Sequence, residues 1–190
     1  MGNRQVLIVH GYTASPQANW FPWLAESLRG EGVRVDVPCM PAAHAPQSDA
    51  WANTLQEVLP TTSAETFLVG HSLGCIAILR HVLSLPADSV VGGVLLVSGF
   101  ARTLPSLPML AGFTAAPLDV AEATRRVRRY SSIFSDSDVI VPPEASSELA
   151  AALGSRVVTV AGGGHFLDRE GFVQFAQARA ELKRLMTELA

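Results

Sequence analysis

The sequence predicts an α/β fold built on a mostly parallel sheet with helices on both faces. Three observations predict it. Six short apolar, β-rich runs recur along the chain, segments of helical periodicity separate them, and the two kinds of segment alternate throughout. With 190 residues, 48% of them hydrophobic and 16% charged, the chain fits one domain spanning 1–190 around a single core.

The first run, Val6 to Val9, leads into His10-Gly11-Tyr12, a loop at a strand end. Trp20, Trp23, Leu24 and Leu28 then form one helical stripe, with Pro22 tolerable in a first turn. After a second strand at Val33 to Val37, Trp51, Leu55, Val58 and Leu59 form another stripe. Thr66 to Val69 is the third strand, and the helix from Cys75 to Leu85 is apolar almost all round at its start, as expected beneath a site. Val94 to Val97 is the fourth strand.

The segment Phe100 to Leu118 is irregular: Pro105, Pro108 and Pro117 break helical periodicity, while Leu104, Leu107, Met109, Leu110 and Phe113 add apolar bulk. It leaves the carboxyl end of a strand, so Leu107, Met109 and Phe113 are expected to line an apolar substrate pocket. Asp119 with Glu122 matches a capping box opening the next helix. Tyr130 to Phe134 is the fifth strand, Glu144 to Leu153 a helix stopped at Gly154, and Val157 to Val160 the sixth strand. Phe172, Phe175, Leu182, Leu185, Met186 and Leu189 are expected on the inner stripe of a long C-terminal helix.

Composition excludes several classes. A net charge of −3 offers no basic face to nucleic acid or anionic lipid, and no apolar run is long enough to span a bilayer. Cys39 and Cys75 have neither a redox nor a zinc spacing, so both thiols are expected to be buried, in a cytoplasmic protein. No histidine cluster has metal-ligand spacing, and neither a metal nor another cofactor is expected.

The chemistry is concentrated in Gly70-His71-Ser72-Leu73-Gly74, a G-x-S-x-G stretch between the third strand and the helix after it. The glycines are needed where a strand reverses sharply into a helix around a strained serine. The helix N-terminus behind Ser72 would aim N–H groups at an oxyanion. A serine nucleophile needs a base held by an acid, and two later loops supply both, each at the carboxyl end of a strand. One is Ser135-Asp136-Ser137-Asp138-Val139-Ile140-Val141-Pro142; the other is Ala161-Gly162-Gly163-Gly164-His165-Phe166. The order Ser72, Asp138, His165 is that expected of this motif. Asp136 and Asp168 compete for the acid role. Asp168 reads as an N-cap of the last helix and Asp136 as a turn former bonding nearby N–H groups. Leu73 is expected to give one oxyanion N–H and Tyr12 the other, with Gly11 and Thr13 one residue away from it. His10 reads as holding the loop after the first strand rather than reacting, His71 as packing near the site, and His44 and His81 as surface or structural.

With the elbow, the D-x-x-V-P pattern from Asp138 to Pro142 and Gly164-His165-Phe166 in place, the chain resembles the α/β-hydrolase superfamily over essentially its whole length. Within it, the chain is similar to the small serine hydrolases that include the retinoblastoma-binding hydrolase and its YdeN-like bacterial relatives. His10-Gly11-Tyr12, Trp20 to Leu28, and Pro38 and Pro41 with Trp51 add to the likeness. The resemblance implies a six-stranded core without a separate cap domain, a metal-independent Ser-His-Asp hydrolase, and Asp138 as the triad acid. The chain has no L-x-C-x-E stretch, so retinoblastoma binding does not carry over.

The expected activity is hydrolysis of a small ester, thioester or amide through an acyl-enzyme on Ser72, of carboxylesterase type. Two rivals stand beside it: a binding protein that has kept the fold and lost turnover, and a peptidase, which would need a cleft for an extended chain.

Overall fold

The computed structural model describes residues 4–187. Six strands, β1 (Gln5–Val9), β2 (Arg34–Asp36), β3 (Thr66–His71), β4 (Gly93–Val97), β5 (Tyr130–Ser135) and β6 (Arg156–Val160), form one sheet in the order β2-β1-β3-β4-β5-β6. Every neighbouring pair is parallel. Each predicted run became a strand, because parallel strands covered on both sides must present apolar residues in both directions. Leu7 and Val9 face one core while Val6 and Ile8 face the other.

The second of those cores lies under α1 (Phe21–Arg29) and α7 (Ala176–Thr187), which contribute Phe21, Leu24, Leu28, Leu182 and Leu185. The first lies under α2 (Ser48–Val58), α3 (Leu73–Ser84), α5 (Val120–Arg126) and α6 (Pro143–Ala152). Trp20 and Trp51 are fully buried, one in each core. Gly154 takes φ 61, as a left-handed stop after α6 requires.

Several local expectations are corrected. The last helix starts at Ala176, so Phe172 and Phe175 precede it and form an aromatic cluster with Phe166. Leu189 lies outside the described residues. Asp119 caps α5 by accepting the Glu122 N–H, but the reciprocal half of the box is missing because the Glu122 carboxylate pairs with Arg125 and Arg126. Cys75 is buried as expected, whereas Cys39 is exposed, since it lies in the loop after the short edge strand β2. The 100–118 segment holds a 3₁₀ turn, Pro108–Leu110, and a single helical turn, α4 (Ala111–Thr114).

The topology positions the site. From β1 the chain moves outward to β2, and from β3 it moves the other way, so the loops after β1 and β3 diverge and leave a crevice between them. Register sets Val9 beside Gly70, which brings Gly11 and Tyr12 against the turn at Ser72. That approach leaves no room at Gly74, where a Cβ would lie 2.1 Å from the Val9 carbonyl oxygen and 2.8 Å from that of His10. At Gly70 a Cβ would lie 2.7 Å from the Cys75 backbone.

Gly74→Ala is therefore expected to cost about 3 kcal/mol or more by overpacking backbone against backbone, a drop in Tm of roughly 6–12 °C for a chain of this size. Gly154→Ala has open space around it and should cost only about 1–2 kcal/mol for its left-handed φ. Thermal unfolding followed by circular dichroism separates the two; equal melting of both variants would contradict the steric account.

Candidate active site

Ser72 sits at the tip of the β3–α3 turn with φ 54 and ψ −120, a conformation that costs a non-glycine residue about 1–3 kcal/mol. Its N–H donates to the Val97 carbonyl at 2.8 Å, which anchors the turn to β4. Leu73 is the first residue of α3, so its N–H has no acceptor within the helix.

The loop after β5 holds Asp138 rigidly. One carboxylate oxygen, Oδ1, accepts the N–H groups of Ile140 and Val141, both at 2.9 Å, while the other, Oδ2, accepts from His165 Nδ1 at 2.7 Å. Pro142, which has no N–H, ends that turn, and Pro143 opens α6. This is the physical content of the D-x-x-V-P pattern. Burial pushes the Asp138 carboxyl up, but the His165 hydrogen bond and charge and the Val141 N–H together outweigh it and hold the group below its ordinary value. An ionised Asp138 thus stabilises the fold at neutral pH, and that stability is lost as pH falls from the ordinary carboxylate value through the lowered folded one. With Nδ1–H given to Asp138, the tautomer of a neutral His165 ring is the one that keeps Nε2 as the acceptor.

The loop after β6 carries His165 on three successive glycines, with Gly162 at φ 67 and Gly164 at φ 56, followed by Phe166 at φ 58. Such a run is pliable, and side chains pin it. Asp136 accepts the Gly162 N–H, Ser135 the Gly163 N–H and Ser137 the Gly164 N–H, at 2.8, 2.8 and 3.2 Å. Asp136 therefore ties two loops together rather than closing its own turn. Glu170, which no sequence pattern singled out, accepts the N–H groups of His165 and Leu167, both at 2.9 Å. Asp168 does not cap the last helix. It opens a 3₁₀ turn, Asp168–Glu170, and its N–H donates to Asn19 Oδ1 at 2.9 Å.

Two further histidines support the site. His10 donates from Nδ1 to the Gly11 carbonyl at 2.9 Å and accepts the Met40 N–H on Nε2 at 3.1 Å, so one neutral tautomer braces the loop after β1. His71 donates from Nε2 to the His165 carbonyl at 2.9 Å, and its ring lies 4.8 Å from the His165 ring. Burial first, and His165 second, push His71 down to about 3, so it is neutral at working pH. His81 is structural, donating to the Leu59 carbonyl at 2.9 Å, and His44 is exposed.

Ser72 and His165 border one cavity of about 420 Å³, also walled by Gly11, Tyr12, Asn19, Leu107, Ile140, Asp168 and Arg169. Of the three apolar residues expected there, Leu107 alone reaches it. Met109 is 51% exposed. Phe113 is buried edge-on against Trp51, 5.4 Å between centroids, and lines a different pocket, because Arg80 draws its carbonyl toward α3. Asn19, Ile140 and Arg169 were missed; nothing in their sequence surroundings marks them. Among the described residues no group of His, Cys, Asp and Glu could hold a metal ion, and no helix is long and apolar enough to cross a membrane.

A family model described as serine hydrolase matches residues 6–184. The chain belongs to the serine hydrolase family. This serine hydrolase is 42% identical over 169 residues to the YdeN protein of Bacillus subtilis (strain 168), covering 89% of each chain. The crystal structure of the B. subtilis ydeN gene product superposes with a TM-score of 0.94 at 39% identity, covering 97% of this chain and 99% of that one. Est1E from Butyrivibrio proteoclasticus shares the fold at 14% identity, with a TM-score of 0.71, over 98% of this chain and 86% of that one. The fold is thus that of the α/β hydrolases, with no separate cap domain among the described residues.

The buried histidine generates a pH prediction. Below its unfolded value of 6.5 the unfolded His71 takes up a proton that the folded protein refuses until about 3, so stability falls as pH falls through that window. The slope contributed is about 1.4 kcal/mol per pH unit while the two states differ by one proton. His71→Gln keeps an N–H for the His165 carbonyl but does not titrate. Urea unfolding between pH 6 and 4 should show a slope shallower by about that amount in the variant; an unchanged slope would contradict the assignment.

Proposed function

We propose that this serine hydrolase is carboxylesterase-like and cleaves small esters, thioesters or amides through an acyl-enzyme on Ser72. The observation that carries the reading is the buried His165–Asp138 pair, 2.7 Å apart, whose imidazole borders the same cavity as a strained serine hydroxyl. His165 Nε2 takes the Ser72 proton as Oγ attacks the carbonyl carbon, and Asp138 stabilises the imidazolium that forms. The imidazolium then gives its proton to the leaving alcohol, thiol or amine. Water, activated by the same Nε2, attacks the acyl-enzyme, releases the acid and restores Ser72.

The oxyanion reading rests on free donors. The Leu73 N–H lies at the first position of α3, and Tyr12 borders the cavity from the loop after β1. Thr13 is excluded as the second donor, since its N–H already donates to the Ala43 carbonyl at 2.8 Å. Leu107, Ile140 and Tyr12 give the lining apolar contacts suited to an acyl group, and Asn19, Asp168 and Arg169 give it polar ones suited to a leaving group. A cavity of about 420 Å³ suits small substrates better than an extended peptide. A protein that only bound a partner would have no use for the strain at Ser72.

The reading is tested with p-nitrophenyl esters of increasing acyl length and peptide p-nitroanilides. Turnover should favour short acyl chains and vanish in Ser72→Ala; turnover that survives in Ser72→Ala would refute it. On the preferred ester, Asp138→Asn should lower kcat on the order of 10⁴-fold, as loss of the acid's tautomer control does in a well-studied triad. Asp136→Asn keeps an oxygen for the Gly162 N–H and should cost little. The reverse ranking would exchange the two aspartates.

A further inference from the structure

Four consecutive backbone N–H groups, from Gly162 to His165, donate to side chains instead of to main-chain carbonyls. Of the first three acceptors, Asp136 and Ser137 come from the loop that also carries Asp138, and Ser135 from the end of β5 just before it. They lock the two loops together but stop one residue short of the base. The fourth acceptor is Glu170, and it binds His165 itself.

Glu170 closes the turn on the far side of His165. A single carboxylate oxygen, Oε2, accepts both the His165 and the Leu167 N–H, each at 2.9 Å. Its seat exists because residue 164 has no side chain: a Cβ on Gly164 would stand 2.5 Å from Glu170 Oε1 and 2.6 Å from Cδ. His71 holds the His165 carbonyl from the opposite side, so both backbone polar groups of the residue are tethered by side chains. Without the Glu170 tether, the freedom of Gly164 passes directly into the direction of the imidazole.

We propose that Glu170 is a positioning residue for His165, holding the imidazole in line with Asp138 and with the cavity. The proposal rests on His165 being the general base, as argued above. Glu170 is an exposed residue, so its removal should act on geometry more than on folding. Displacing a catalytic group by about 1 Å can cost on the order of 10²-fold in rate.

The test compares Glu170→Ala with Glu170→Gln, whose amide oxygen can still accept both N–H groups. Each is assayed on p-nitrophenyl acetate, melted by circular dichroism, and examined by proton NMR for the downfield Nδ1–H shared by His165 and Asp138. Glu170→Ala should lower kcat about 10- to 100-fold with KM changed less than about twofold. It should also lose or broaden the downfield proton while melting within a few degrees of wild type. Glu170→Gln should restore most of kcat and the proton signal.

Wild-type kcat and an unchanged proton in Glu170→Ala would overturn the proposal. So would equal losses in Glu170→Gln, which would assign the effect to charge, or a loss of kcat that merely follows a lowered melting temperature. If the wild type showed no Ser72-dependent turnover, the hydrolase reading would fail separately. The NMR comparison would still decide whether Glu170 orients His165.

Discussion

Everything in the site depends on how closely α3 begins beneath the ends of β1 and β3. The 2.1 Å that would separate a Gly74 Cβ from the Val9 carbonyl oxygen shows that the helix start is pressed against the neighbouring strand with no space for a side chain. That contact raises Ser72 to the crest of the turn at φ 54 and leaves the Leu73 N–H uncommitted. It also sets the Gly11 loop against Ser72, where a Gly11 Cβ would stand 3.1 Å from that of Ser72. The strain at Ser72 is sustained by the surrounding core, including the fully buried Ile76 and Leu79 of α3.

Asp138 and His165 are held by a different means. Neither sits within a regular element; both lie on loops beyond β5 and β6, where backbone N–H groups lack ladder partners. The protein satisfies them with short polar side chains and one glutamate, and those hydrogen bonds decide where the imidazole points. Asp138 does both tasks at once, since one oxygen organises its own turn and the other receives His165. Around this polar core the neutral rings of His10 and His71 brace the loops without adding charge.

Much of this was legible in the sequence. All six strands and the elbow were recognisable because buried parallel strands and glycines at fixed offsets leave strong local patterns. D-x-x-V-P pointed to Asp138 rather than Asp136, and the geometry of that stretch is the two N–H bonds to the Asp138 carboxylate. Glu170 was invisible, because a carboxylate five residues beyond a histidine in a polar stretch signals nothing until the chain turns back. Met109 and Phe113 were misplaced for a related reason. Apolar residues in an irregular segment announce burial but not direction, and Arg80 together with Trp51 settles the direction of Phe113. The start of α7 was read too early because Phe172 and Phe175 share its apolar face while packing on Phe166 ahead of the helix.

The central claim is that Ser72 is an activated nucleophile rather than a turn residue, and covalent capture addresses it most directly. Treatment with a fluorophosphonate, followed by intact-mass and peptide mass spectrometry, should give one stoichiometric adduct on the peptide containing Ser72 and none on Ser72→Ala. A wild-type protein that stays unmodified, or a Ser72→Ala variant labelled to the same extent, would contradict the account.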